Sequence, residues 1–136
     1  DHPLADRSTI SPEDIVDQPL VALRKGQRWR ARMDEVFSGA GLSPPIPYET
    51  TSTPVVTQLV RDGLGLTIVD RVCGRILEGE PLVLRPLAQE RWVTYATIHP
   101  RGPRPALEQD FVRSMQGFVA AESQRSPDIA TSLRLI

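Results

Sequence analysis

The sequence predicts an α/β fold in which helices cover a mainly parallel sheet. Three observations carry this expectation. Strand-length apolar runs alternate with helical patterns across short connections, as βαβ crossovers require. The runs at residues 20–23 (Leu-Val-Ala-Leu) and 66–69 (Leu-Thr-Ile-Val) lack a polar face, as strands buried on both sides do. The helical stripes stop at Gly41 and Gly63, where a left-handed C-terminal residue is wanted. Residues 7–88 are therefore expected to form one compact three-layer unit.

Taken in order, residues 1–6 are loop-like and begin without an initiator Met, which reads as a cut in a longer chain. Ser11-Pro12-Glu13-Asp14 starts a helix: a Ser cap, Pro at the first helical position and acidic residues against the dipole. Pro19 keeps that helix short. The strand 20–23 follows, with its exit turn at Arg24, Lys25, Gly26 and Gln27. Trp29, Met33, Val36, Phe37 and Ala40 lie on one helix face. Arg28, Arg30, Arg32, Asp34 and Glu35 are assigned to the solvated face opposite. Residues 46–49 form a second strand, and Val56, Leu59 and Val60 stripe the next helix. Residues 66–69 form a third strand and 72–77 a short helix. Pro81 and Pro86 confine 81–87 to a sheet edge. A strand is predicted over 91–98, then a stiff loop at 101–105. Leu107, Phe111, Met115, Phe118 and Val119 mark a strongly amphipathic helix. The tail from residue 122 is unassigned.

Composition bounds the function. The chain has 136 residues, 40% hydrophobic and 24% charged, with a net charge of −1, an ordinary globular balance. Such a charge argues against a nucleic-acid-binding face, which needs basic residues to displace counterions from phosphate. Cys73 is the sole cysteine, so no intrachain disulfide forms and a reducing cytoplasm suits the chain. No apolar run approaches membrane-spanning length. His2 and His99 stand too far from each other and from acidic or Cys clusters to suggest a metal site. No Ser–His or Cys–His catalytic signature is visible, and no cofactor motif is found.

The turn at Thr51, Ser52 and Thr53 is the most informative feature. It lies past a strand's carboxyl end and at a helix N-terminus, where open α/β sheets place ligands. Three consecutive hydroxyls there suit an anionic small molecule, although capping the helix is the plainer role for them. Arg24 and Lys25 end the neighbouring strand on the same rim and supply positive charge. Asp70 ends the third strand there, either to meet an amine or to cap the helix that follows. Cys73 is read as a small packed residue, Trp29 and Trp92 as core anchors.

Several segments together resemble the effector-binding domain of LysR-type transcriptional regulators. They are His2-Pro3-Leu4-Ala5, the 20–23 strand, residues 30–37, Glu49-Thr50-Thr51-Ser52-Thr53 and Val60-Arg61-Asp62-Gly63-Leu64-Gly65-Leu66. Arg85-Pro86-Leu87 and Pro100-Arg101-Gly102 are similar to that family's closing segment. The resemblance covers about residues 2–120, and Gly63-Leu64-Gly65 is its most specific part. It implies a periplasmic-binding-protein-like (type 2) fold of two α/β subdomains with an effector in the cleft between them. On that reading 1–6 are a hinge segment from the first subdomain and 7–88 the second subdomain. Residues 89–121 return to the first as a strand and helix, and 122–136 are a tail. It further implies a cytoplasmic bacterial regulator that binds a small anionic or zwitterionic metabolite and self-associates through this domain. DNA would be met only through an N-terminal winged helix-turn-helix outside this chain. The site expected is Arg24, Lys25, Thr51, Ser52, Thr53 and Asp70, with no catalytic or metal-binding residues. The same fold also serves extracytoplasmic solute-binding proteins, which remain the alternative, and a few enzymes of the prephenate dehydratase-like or porphobilinogen deaminase-like kind.

Overall fold

The computed structural model describes residues 2–125 apart from 76, 78–80 and 90. The chain divides into two compact units, Asp1–Trp92 and Val93–Ile136.

The first unit is α/β with a small parallel sheet. After a 3-10 turn at Pro3–Asp6 come α1 (Pro12–Ile15), β1 (Val21–Leu23), α2 (Arg28–Ser38), β2 (Tyr48–Thr50), α3 (Thr53–Arg61) and α4 (Arg71–Arg75). The Ser11 N–H donates to the Asp14 carboxylate at 2.8 Å, the return half of a capping box. β1 and β2 run parallel in the register Val21↔Tyr48, Ala22↔Glu49 and Leu23↔Thr50. Leu20 on the other side of β1 makes a parallel bridge to Leu66, so β1 is central. Its residues are accordingly the driest: Leu20 and Val21 have no exposed surface. Ile10, Ile15, Leu20, Ala22, Met33 and Phe37 form the core cluster, with Leu4, Leu42, Ile46, Leu66 and Ile68 packed against it.

Both glycine stops act as the sequence predicts. The Gly63 N–H bonds Val60 O at 3.0 Å and the Leu64 N–H bonds Leu59 O at 3.0 Å. Gly63 itself has φ +79. That is a Schellman motif, and it repeats at Gly41 (φ +71) through Gly41–Ser38 and Leu42–Phe37 bonds.

Four expectations need correction. The strand at 66–69 pairs only at Leu66, through Leu66 N–H to Pro19 O (2.9 Å) and Val21 N–H to Leu66 O (2.8 Å). Residues 67–70 are not assigned to a strand. The edge strand at 81–87 reduces to a bridge between Ile10 and Leu87, because proline removes the donors a longer ladder needs. Residues 91–98 are irregular; alternation alone makes no strand without a hydrogen-bonding partner beside it. Arg30, assigned to the solvated face of α2, is buried. Residue 76, inside the short helix expected over 72–77, residues 78–80 after it, and 126–136 of the tail lie outside the described residues.

In the second unit α5 spans Ala106–Arg125. His99 is held before it, its Nε2 at 2.9 Å from the Thr97 hydroxyl and its Nδ1 paired with Glu108 in the first turn of α5. The apolar stripe of α5 is open: Leu107, Phe111 and Phe118 are 81%, 59% and 67% exposed. No helix among the described residues is long and apolar enough to cross a membrane.

Candidate functional site

Parallel strands end on the same side, so the carboxyl ends of β1 and β2 open on one edge of the sheet. There the two loops are tied together. The Arg24 N–H donates to Thr50 O at 2.9 Å, and the Gln27 amide donates to Thr51 O at 3.2 Å. Arg24, Lys25, Thr51 and Thr53 are exposed and Ser52 is half-buried. Ser52 occupies the N-cap position of α3 with extended backbone, yet its side chain makes no capping hydrogen bond. Its own N–H is instead taken by Thr50 Oγ1 at 3.3 Å. The plainer role for these hydroxyls, side-chain capping by Ser52, is therefore not the one this geometry uses. Pro54 lacks a donor in the first turn, and α3 carries no acidic residue there, so no side chain of its own first turn offsets the field at its N-terminus.

Beside this edge lies a recess of about 40 Å³, bounded by Leu23, Trp29, Arg30, Met33, Thr53, Val56, the 67–70 segment and Cys73. Of the expected site residues, Thr53 and Asp70 line it; Arg24, Lys25, Thr51 and Ser52 lie outside it. Asp70 performs the capping alternative: its Oδ1 accepts the N–H groups of Val72 and Cys73 at 2.9 and 3.0 Å. Trp29 and Cys73, read as packed residues, are half-buried walls of the recess.

Arg30 is the residue that reading by residue type missed. Its side chain is 5% exposed. Nε donates to Asp34 at 2.8 Å, and Nη1 donates to Leu23 O at 3.2 Å and to Glu49. Burial works against its charge, but the hydrogen bonds to Asp34 and then Glu49 outweigh it and raise its pKa above the ordinary arginine value. The signal was present in the spacing: Arg30, Met33 and Phe37 stand at i, i+3 and i+7 on one helix face, with an acid at i+4 to receive the guanidinium.

Among the described residues no group of three or more His, Cys, Asp or Glu side chains is placed to hold a metal ion. The arrangement offers a helix N-terminus, hydroxyls and a buried guanidinium beside a small recess.

Comparison with known proteins places this geometry in a family. The model of the LysR substrate binding domain matches residues 1–120. Transcriptional activator protein LysR of Escherichia coli (strain K12) is 26% identical over 136 residues, 99% of this chain and 42% of that protein. The HTH-type transcriptional regulator YybE of Bacillus subtilis (strain 168) is 34% identical over 74 residues, 54% of this chain and 25% of that protein. The crystal structure of HinK, a LysR family transcriptional regulator from Pseudomonas aeruginosa, superposes with a TM-score of 0.52 at 22% identity. It covers 66% of this chain and 32% of HinK, and shows a shared fold. The chain thus spans 25% of YybE and 42% of LysR. Matched over residues 1–120, the chain belongs to the LysR substrate-binding domain family.

Proposed function

We propose that this chain is the effector-sensing portion of a bacterial, cytoplasmic LysR-type transcriptional regulator. It binds a small anionic or zwitterionic metabolite and modulates a winged helix-turn-helix carried elsewhere in the parent protein. The observation that carries the site is the recess lined by Thr53 and Asp70 beside the α3 N-terminus, whose N-cap side chain is unused. The effector's carboxylate takes the free N–H groups at the start of α3 and the hydroxyls of Thr51, Ser52 or Thr53. Arg24 or Lys25 approaches from the end of β1. On this reading residues 1–6 are a hinge, 7–88 the second, three-layer subdomain of a periplasmic-binding-protein-like fold, and 89–121 the return into the first. The role is binding without catalysis. Names such as transcriptional activator and HTH-type transcriptional regulator among the relatives favour this over a transporter's solute-binding protein.

The test is a thermal-shift screen of the chain against small carboxylates and amino acids, followed by calorimetric titration of each hit. A charge-assisted hydrogen bond is worth about 1.5–3 kcal/mol, so Thr51→Val or Ser52→Ala lowers affinity roughly ten- to hundredfold. A cap lost at Ser52 would instead cost about 1 kcal/mol of stability with affinity unchanged. Since its side chain makes no capping bond, the melting temperature of Ser52→Ala is expected to stay near that of the parent chain. Unchanged affinity in both variants and in Thr53→Val, the hydroxyl that lines the recess, overturns the site.

A further inference from the structure

We propose that Arg30 selects the charge of the effector: its Nη2 N–H groups bind a carboxylate seated in the recess between Thr53 and Asp70. This rests on the recess being the effector site and names the residue that gives the site its preference for an anion.

The argument begins with donors. A guanidinium carries five N–H groups. Nε is committed to Asp34, and Nη1 to Leu23 O and Glu49, while Nη2 makes no hydrogen bond among the described residues. Nη2 is not among the fully buried atoms left without a partner, so solvent reaches it. Arg30 lines the recess, and Nη2 is the nitrogen left to meet a ligand there. The three bonds that are made come from α2, the end of β1 and β2. They fix the guanidinium plane before any ligand arrives, and little side-chain entropy is left to lose on binding.

The preference for an anion rests on which donors remain, since Arg30, Asp34 and Glu49 together carry no net positive charge. Asp34 and Glu49 are 48% and 36% exposed against 5% for Arg30. Both carboxylates sit against Nε and Nη1, and Asp70 Oδ1 is committed to the first N–H groups of α4. The α3 N-terminus adds a field of the same sign as Arg30. A recess of about 40 Å³ has room for only a few waters, which suits a carboxylate head with the rest of the molecule outside.

Trp29 lines the recess and shares the chain with one other tryptophan, Trp92. In a Trp92→Phe background, Trp29 emission therefore reports on the recess. The chain is titrated with sodium acetate, ethylammonium chloride and sodium chloride at matched ionic strength. Acetate is expected to give a saturable change and the other two salts none. Arg30→Lys keeps the charge but loses the fork, and weakens the acetate response at least tenfold. Should that variant fail to fold by circular dichroism, Arg30→Met with Glu49→Gln removes the buried pair together, an exchange that proteins tolerate, and abolishes the response. An acetate response that survives in the folded Arg30 variants but is lost in Thr53→Val overturns the role of Arg30 and leaves the site standing. No response to acetate in the parent chain, or saturation by ethylammonium instead, overturns the site and the role of Arg30 together.

Discussion

Replacing Gly65 with Ala tests why the motif Gly63-Leu64-Gly65 needs both glycines. They serve different ends. Gly63 has φ +79 with open space around its missing side chain; what it needs is a backbone conformation. Gly65 has no such requirement, but a Cβ there would meet Pro19 O at 2.2 Å and Pro19 C at 2.9 Å. Those are backbone atoms of the segment that bonds Leu66, so the clash is relieved only by pulling Leu66 off β1. Overpacking costs about 1–3 kcal/mol. The two bonds at risk, Leu66 to Pro19 and Val21 to Leu66, are worth about 1 kcal/mol each. Gly65→Ala is therefore expected to lose about 3–5 kcal/mol, a large share of the 5–15 kcal/mol typical of a domain. Urea denaturation followed by circular dichroism measures it. Asn separates the mechanisms, because it tolerates the left-handed region. Gly63→Asn should recover most of the roughly 1–2 kcal/mol lost in Gly63→Ala, and Gly65→Asn should recover nothing. If Asn is as well tolerated at 65 as at 63, or Gly65→Ala costs under about 0.5 kcal/mol, the close-approach reasoning is wrong.

Three further outcomes are expected. The Asp14 carboxyl is held below its ordinary value of 3.8, first by the Ser11 N–H and then by the Ser11 hydroxyl, with Arg7 assisting. Its stabilisation is thus present above that value and lost as the pH falls through the lowered one. Asp14→Asn should flatten the acid limb of a melting profile between about pH 6 and pH 2; parallel profiles would refute this. The exposed stripe Leu107, Phe111 and Phe118 should drive self-association at micromolar concentration, and Phe111→Ser with Phe118→Ser should shift sedimentation towards monomer. A parent chain that sediments as a single monomeric species counts against it. With a net charge of −1, the chain should not retard duplex DNA sequence-specifically at physiological salt, and a specific band in a mobility-shift assay would show otherwise.

What the sequence made legible was local. Pro12 after Ser11, the Met33–Phe37 stripe and the glycine stops each encode one element within a few residues, and each formed. Of the two apolar runs read as buried strands, 20–23 proved dry, with Leu20 and Val21 at no exposed surface, while 66–69 is half-buried. Non-local features were hidden. The recess is lined by Leu23 of β1 and by Thr67 to Asp70, which pair with β1 through no bridge beyond Leu66, and no periodicity records where two distant segments meet. Arg30 was hidden for a different reason: residue type outweighed position. Its i, i+3, i+7 relation to Met33 and Phe37 placed it on the inner face, where an arginine survives only if carboxylates or carbonyls meet it. Asp34 was visible four residues on, but Leu23 O and Glu49 arrive only when β1 and β2 pair. A charged residue in phase with an apolar stripe is therefore a statement about partners elsewhere in the chain. Here those partners are the strand ends that border the proposed effector site, so the side chain that looked most like solvated surface is the one tying α2 to both.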